Sequence, residues 1–289
     1  MLLRFTLSVL FIFGTLASWA QELKGRVVAA ASGRPVAFAT VGIRGKTLGS
    51  TANEAGRFAF AVPLNQPAAD SVIISCIGFR SLGLTVGQLR RADNVWCLQP
   101  QAQVLKEVQV RHARLKPALL GRNAVGGLAA WATSTRDTSV IMGGDERGRE
   151  LTTVLPIRRS CYVDSFRIYI SHNDFKLVRF RFILYTVVKN RPTQTLLTDD
   201  IQFVLPSQRT GWVGLGLRSY NIKLERGQTI VAGIQWLQGE RLVPDKGVLS
   251  GTGAFPSVKH HVLVRGKSEA EWRSLPVNIS MYLAVQQYQ

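Results

Sequence analysis

The pattern of apolar and polar positions along the chain is typical of β-strands separated by turns. Between residues 23 and 99, short apolar runs alternate with stretches rich in Gly, Pro and Asn, and no helical period is sustained. From about residue 138 the strands lengthen, and Phe166, Ile168 and Ile170 alternate with Arg167 and Tyr169. A period of two with one polar face predicts antiparallel sheets packed on one side. We therefore predict an all-β protein.

The same pattern predicts two β-sandwiches joined by a linker. Residues 21–100 form the first domain and residues 101–137 the linker. Residues 138–289 hold about eight to ten strands, which suits a jelly-roll-like sandwich. The linker is basic, contains the pair Gly126-Gly127 and has no acidic residue between Glu107 and Asp137. Two interpretations stay open for it: a solvated tether, or a basic contact for anionic envelope polymers.

The first 20 residues predict a secretory signal peptide. Arg4 precedes an apolar run from Phe5 to Leu16, and the small residues Ser18 and Ala20 suit cleavage after Ala20. The run is short against the roughly 20 residues that a spanning helix needs. The residue directly after the cleavage point is Gln21 and not the cysteine of a lipoprotein anchor, and no later apolar stretch is long enough to span a bilayer. We expect an exported protein without a transmembrane segment, located in the periplasm or at the outer membrane or cell surface.

Residues 23–100 resemble the carboxypeptidase-regulatory-like domain, a transthyretin-like sandwich of seven strands. The motif residues that carry the resemblance are Gly25, Val27, Gly33, Pro35, Gly49, Thr51, Asn53, Gly56, Phe58, Ser75, Gly78 and Phe79. The resemblance implies that the motif glycines lie at turns, so that the structural turn residues are Gly33, Pro35, Gly49, Asn53, Gly56 and Gly78. It also implies that the core contains Val27, Val41, Phe58, Phe60 and Ile74.

Relatives of this domain accompany zinc carboxypeptidases or precede TonB-dependent outer-membrane receptors, and Leu105–Val110 resembles the short strand that follows it in the receptors. Neither activity is expected here. Too few residues follow for a receptor plug and barrel, and no histidine has a Glu three positions later, as in an HxxE pair; the histidines are His112, His172, His260 and His261. The second domain resembles jelly-roll second domains of exported Bacteroidota proteins, a resemblance that implies no activity.

Three tryptophans of the second domain are candidates for contact with a glycan: Trp212, Trp236 and Trp272. Aromatic faces stack on sugar rings, and Tyr169, Tyr185, Tyr220 and Tyr282 lie in the same domain. The alternative is core packing, because large aromatic side chains commonly fill protein interiors. Trp272, in the polar stretch KSEAEWRSLP, is the one expected at the surface.

No other group of residues predicts catalysis, a metal or a cofactor. The candidate carboxylates are Asp164, Asp174, Asp199 and Asp200, but a glycosidase needs two carboxylates at a defined separation, which sequence does not show. They are expected as surface turn residues, with a calcium site in a loop as the alternative. His260 and His261 are adjacent, so in a strand they point to opposite faces. Cys76 and Cys97 lie in the same predicted domain, and they either pair as a disulfide or remain as buried thiols. Cys161 makes the number of cysteines odd, so at least one thiol has no partner within the chain.

The chain has 36 basic and 18 acidic residues and a formal charge of +18, which becomes +17 when Arg4 is removed with the leader (35 − 18). The bases are spread over both domains, so we expect no nucleic-acid partner. Candidate partners are envelope polysaccharide, lipid A phosphates or an outer-membrane protein. We predict a non-catalytic envelope protein, not an enzyme, with a binding or adaptor role. The alternative is a glycan-directed hydrolase or glycan-binding module in the C-terminal domain.

Overall fold

The computed structural model describes residues 20–91, 95–101, 114–134, 146–244, 246–258 and 260–289. This part of the chain is built almost entirely of strands, so the all-β prediction is confirmed. Its helices are one α-helical turn and one 3₁₀ turn, neither of a length that crosses a bilayer. The predicted signal peptide up to residue 19, the segment Leu105–Val110 and His112 lie outside the described residues.

In the part of the first domain that the structure describes there are seven strands and the helical turn α1. Their bounds are β1 Ala20–Ala29, β2 Thr40–Ile43, β3 Gly49–Thr51, β4 Arg57–Pro63, β5 Ser71–Ser75, β6 Leu82–Thr85, α1 Val86–Leu89 and β7 Val95–Leu98. One sheet has the strand order β4-β1-β7 and the other β3-β2-β5-β6. Among the described strands of this domain, only the pairing of β1 with β7 is parallel.

The core of the first domain follows the alternation of its strands. The expected core residues are all buried: Val27, Val41, Phe58, Phe60 and Ile74. They lie in one cluster with Leu23, Ile43, Leu89 and Leu98. The two sheets therefore pack face to face around a single apolar layer.

Tight turns join these strands. Asn53 Oδ1 accepts hydrogen bonds from the backbone N–H of Ala55 (3.0 Å) and of Arg57 (2.9 Å), and Gly56 has a φ of +72°. Gly33 and Gly78 also have positive φ, and Pro35 forms an isolated bridge with Val28.

Gly49 is not at a turn, in contrast to the expectation from the motif. It lies in β3, paired with Gly42 of β2. A Cβ there would collide with the carbonyl oxygen of Val41. Close approach of two backbones therefore explains this glycine.

The second domain contains sixteen strands within the described residues, fourteen of them in residues 138–289, where eight to ten were expected. Their bounds are β8 Leu115–Gly121, β9 Ala129–Ser134, β10 Glu150–Pro156, β11 Cys161–Ile170, β12 His172–Asn173, β13 Phe175–Val188, β14 Arg191–Thr195, β15 Gln202–Pro206, β16 Gly211–Gly216, β17 Lys223–Leu224, β18 Thr229–Arg241, β19 Val248–Ala254, β20 Val262–Arg265, β21 Arg273–Leu275, β22 Asn278–Ile279 and β23 Met281–Tyr288. A 3₁₀ turn, Arg218–Tyr220, follows β16.

Eight of these strands have the connectivity of a jelly roll. One four-stranded layer has the order β10-β18-β13-β15 and the other β8-β23-β11-β16, with all neighbours antiparallel. Counted along the chain as strands 1 to 8, these orders are 2-7-4-5 and 1-8-3-6, the arrangement of two Greek keys. The additional strands extend these layers or form the small sheet of β9, β12, β19 and β22.

Part of the predicted linker is built into the jelly roll. β8 pairs with β23 over seven residues, and β9 pairs with β19. Ala118 and Leu120 pack against the core of the second domain. The second domain therefore begins by residue 115 rather than at residue 138, and the remaining linker residues 102–113 lie outside the described part of the chain.

The first domain packs on the outer face of the larger jelly-roll sheet, which contains β10, β13, β18 and β20. The Gly45 N–H donates to the carbonyl of Glu269 (2.9 Å), and Ile77 contacts the core of the second domain. Arg181 and Ile183 on β13 are buried although they alternate with core residues. This sheet is therefore covered on both faces, and we call its outer side the covered face.

Candidate ligand-binding face

The opposite sheet, formed by β16, β11, β23 and β8, turns its outer side to solvent. Along β11 the core side holds Phe166, Ile168 and Ile170, so the intervening residues point outward. The outward residues of the four strands are all at least partly exposed. We call this surface the open face; its residues are Tyr162, Ser165, Arg167, Tyr169, Trp212, Gly214, Gly216, Tyr282, Ala284, Gln286, Tyr288, Leu115, Pro117, Leu119 and Gly121.

Three aromatic rings form a cluster at one end of the open face. Trp212 lies between Tyr169 (ring centroids 5.5 Å apart, planes at 70°) and Tyr282 (4.9 Å, 67°). Tyr169 pairs directly with Trp212 across β11 and β16, while Tyr282 comes from β23. Edge-to-face contacts of this kind hold each ring in one orientation. The cluster is thus a fixed, partly exposed aromatic surface.

Small residues follow the aromatic cluster along the sheet. Gly214 is opposite Arg167, and Gly216 and Ala284 flank Ser165. A Cβ on Gly214 would collide with the carbonyl oxygen of Phe166, so glycine is required there. The centre of the open face is therefore lined by small residues, and no bulky side chain lies beside Arg167 on the β16 side.

A second aromatic pair lies at the other end of the open face. The rings of Tyr162 and Tyr288 are 6.0 Å apart, and the ammonium group of Lys223 lies 5.9 Å from the Tyr288 ring. A hydrogen bond with Tyr162 is the main cause that raises the pKa of Tyr288. At about 3.3 Å per residue, the strand length from Tyr162 to Tyr169 is roughly 20 Å. The two aromatic groups therefore frame an extended surface.

The acidic residue nearest to this surface in β11 is already paired. Asp164 lies at a β-bulge and accepts hydrogen bonds from Arg218 Nε and Nη2, both at 2.9 Å, and from Gln286 Nε2 at 2.7 Å. These bonds, chiefly that of Arg218, lower the pKa of Asp164. Asp164 is therefore an ionised partner of Arg218.

The structure separates the three tryptophans that the sequence singled out. Trp212 is on the open face. Trp236 is only 4% exposed and packs edge-to-face on Phe175 and Phe180, so its ring is inaccessible to a ligand. Trp272 is partly exposed, but the Arg265 guanidinium lies 4.4 Å from its ring centroid, at the edge of the covered face. Of the three, only Trp212 joins an aromatic surface open to solvent.

A row of polar side chains crosses the covered face on four adjacent strands: Arg181, Gln235, Glu150 and Arg265. Arg181 donates to Gln235 Oε1 (2.6 Å), and Gln235 Nε2 donates to Glu150 Oε1 (2.7 Å). Arg265 donates to the same Glu150 oxygen (2.8 Å). Because the first domain covers this row, these groups are buried, and burial raises the pKa of Glu150 in spite of Arg265.

Arg181 also connects the two domains. Its guanidinium binds both carboxylate oxygens of Asp200, and Nη2 donates to the carbonyl of Phe38 in the first domain (3.0 Å). Phe38 has a φ of +55°, a strained conformation for a residue with a side chain. Arg179 lies over the Phe38 ring and pairs with Glu54 of the first domain (3.2 Å).

These contacts also show what the candidate carboxylates do. Asp200 pairs with Arg181 and Gln202, and Asp199 accepts a hydrogen bond from the Thr198 hydroxyl (2.7 Å). Asp174 pairs with His172 (2.7 Å). Each of these carboxylates thus has a structural partner. Within the described residues, no three metal-ligating side chains come together as a metal site.

The three cysteines are unpaired in the structure. Cys97 is exposed, whereas Cys76 lies at the domain boundary and Cys161 in the jelly-roll core. Burial raises the pKa of the Cys76 and Cys161 thiols to about 11. Both thiols are therefore protonated at neutral pH and are poor nucleophiles.

The described residues also line a cavity of about 10 Å³, between Trp131, Thr133, Glu150 and Trp236 among others. Such a volume holds about one water molecule. This cavity is far too small for a sugar ring.

Residues 23–110 match the family model of the CarboxypepD_reg-like domain. The prediction for the first domain is therefore confirmed, and the match extends past residue 100 to include Leu105–Val110. This type of domain is non-catalytic in itself and occurs in exported proteins. No curated protein matches the chain significantly. Fold and family match together define an all-β protein in which a CarboxypepD_reg-like module is packed on a jelly roll.

Proposed function

We propose that the protein is a non-catalytic, exported binding protein of the cell envelope, and that the open face of its jelly roll contacts a polysaccharide. The observation that carries this proposal is the cluster of Tyr169, Trp212 and Tyr282. Partly exposed rings held in fixed orientations lose little entropy when they stack on a ligand. The CarboxypepD_reg-like domain acts as the adaptor, because its packing on the covered face leaves the open face accessible.

The shape of the open face favours polysaccharide over the other candidate partners, lipid A phosphates and an outer-membrane protein. Two aromatic groups separated by roughly 20 Å suit an extended chain of rings. A glycan-directed hydrolase is the weaker alternative, because Asp200, one of its candidate carboxylates, is engaged by Arg181.

Affinity electrophoresis tests the proposal. The purified protein and its Trp212→Ala variant are run in gels that contain neutral polysaccharides, at low and at high salt. We expect retention of the wild type that survives salt, and a loss of affinity of about tenfold or more in W212A, as for a central aromatic contact.

Trp272→Ala is the matched control, since it removes the same side chain from the other side of the domain. Thermal unfolding of each variant verifies that the fold is kept. Equal retention of W212A and the wild type would contradict the proposed role of the open face. Turnover of any polysaccharide by the wild type would contradict the non-catalytic assignment.

Export is tested separately by cell fractionation of the natural host. We expect the protein in the periplasmic or outer-membrane fraction, with an N-terminus at Gln21. Recovery of the uncleaved chain from the cytoplasm would refute this part of the proposal.

A further inference from the structure

Arg167 occupies the centre of the open face and has no partner among the described residues. It lies between Gly214 of β16 and Tyr282 of β23 and is partly buried. It forms no hydrogen bond or ion pair with any described residue. Its nearest acidic neighbour on β11, Asp164, is occupied by Arg218 and Gln286. The positive charge at the centre of this surface is thus left uncompensated.

A guanidinium placed in this way fits a planar anion. Arginine donates two parallel hydrogen bonds to a carboxylate, and such charge-assisted pairs are stronger than neutral hydrogen bonds. Because Gly214 has no side chain, there is space on one side of Arg167. The aromatic cluster lies on the other side of Arg167. A ring that stacks on the cluster therefore brings a ring substituent within reach of Arg167.

We infer that the open face binds an acidic polysaccharide, and that Arg167 binds the carboxylate of a uronic acid unit. This inference rests on the proposed function and specifies its ligand class. The phosphorylated disaccharide of lipid A supplies an anion and rings as well, but two sugar units are too short to extend from the aromatic cluster to the Tyr162–Tyr288 pair, roughly 20 Å away. An extended polysaccharide that stacks on both aromatic groups and places a carboxylate at Arg167 contacts the whole open face.

The test compares Arg167→Gln with the wild type on two polymers, a polyuronate and a neutral polysaccharide retained by the wild type, at moderate and high salt. We expect R167Q to bind the polyuronate roughly 10- to 100-fold more weakly, as for the loss of a hydrogen-bonded charge pair, and to bind the neutral polymer unchanged. Arg167→Lys keeps the positive charge but lacks the planar guanidinium with its paired N–H donors. We expect it to retain only part of the affinity for polyuronate.

Arg191→Gln is the charge-matched control, because Arg191 is an exposed residue at the start of β14 in the other sheet. If R167Q and R191Q weaken polyuronate binding equally, the net charge of the protein is the whole cause and the inference is wrong. Stronger binding to vesicles with lipid A than to polyuronate, lost in R167Q, would assign the site to a phosphate and also overturn it. If the wild type binds no polysaccharide at all, the proposed function itself fails. If the wild type binds a neutral polysaccharide and R167Q binds the polyuronate as strongly as the wild type does, only the role of Arg167 is refuted.

Discussion

Glu150 shows at the scale of one residue how the first domain changes the chemistry of the jelly-roll surface. Its side chain is fully buried, one oxygen accepts from Arg265 and Gln235, and Oε2 has no hydrogen-bond partner among the described residues. Burial raises its pKa above that of an unfolded chain. Folding therefore favours the protonated carboxyl, and this contribution to stability is present at low pH and is lost as the pH rises through the folded pKa.

We expect this titration to be visible in the stability of Glu150→Gln. Relative to E150Q, the free energy of unfolding of the wild type should fall as the pH rises from the ordinary glutamate pKa, about 4.3, toward the raised pKa of the folded protein, since only the wild type must bury a carboxylate. Urea unfolding at a series of pH values measures the difference. Glu240→Gln, which removes an exposed carboxylate, controls for the general effect of one charge. A difference between wild type and E150Q that does not change with pH would contradict the prediction.

At the scale of the element, β8 is the part of the predicted linker that proved to be structured. It is an edge strand that hydrogen-bonds only to β23 among the described strands. Leu120 packs against the core, whereas Leu119 is 47% exposed on the open face. The basic residues and Pro117 around it weaken the alternation of apolar positions, which is why the sequence indicated a linker.

Two matched substitutions test whether β8 is an integral strand. Leu120→Ser should lower the free energy of unfolding by about 2 kcal/mol, the low end for truncating a core leucine, because Leu120 is only partly buried. Leu119→Ser should change it by about 0.5 kcal/mol or less, as expected for a surface position. Denaturant unfolding of both variants provides the measurement. Equal, small effects would mean that β8 contributes as little as a tether.

At the scale of the element, the sequence predicts individual strands but not their arrangement. Period-two alternation correctly indicates the strands, the core side of β11 and β13, and the all-β class, because a buried side needs an apolar residue at every second position. It does not indicate which residues of different strands become neighbours, because that depends on register and strand order. The burial of Trp236 agrees with the core-packing alternative, whereas the grouping of Arg167 with Trp212 and Tyr282 was beyond the sequence. So was the burial of Arg181 and Glu150, which requires a second domain on their face.

At the scale of the whole molecule, Arg181 links the two domains into one unit. Arg181→Met leaves Asp200 and the Phe38 carbonyl without their shared donor. We expect a loss of about 3 kcal/mol, the low end for removing one member of a buried pair, since Asp200 keeps some contact with water. We also expect one thermal transition for the wild type and two for R181M, one for each domain. Differential scanning calorimetry measures both effects.

Arg179→Met is the control for this prediction, because it removes a cation from the same strand and the same interface. Its partner Glu54 is 69% exposed, so the pair is worth about 1 kcal/mol or less, and one transition should remain. If R181M still unfolds in a single transition like that of R179M, the domains are coupled through their apolar contacts instead.

The pairing of β8 with β23 has a practical consequence for anyone who immobilises this protein. The Gln289 N–H donates to the carbonyl of Arg114 (3.1 Å), and Tyr288 is opposite Leu115, so the last described residues lie at one end of the open face. An affinity tag or a surface attached after Gln289 therefore sits beside Tyr288 and hinders access to that face. A tag or surface attached ahead of β1, on the first domain, lies away from the open face. Binding data from the two orientations should be compared before a negative result is accepted.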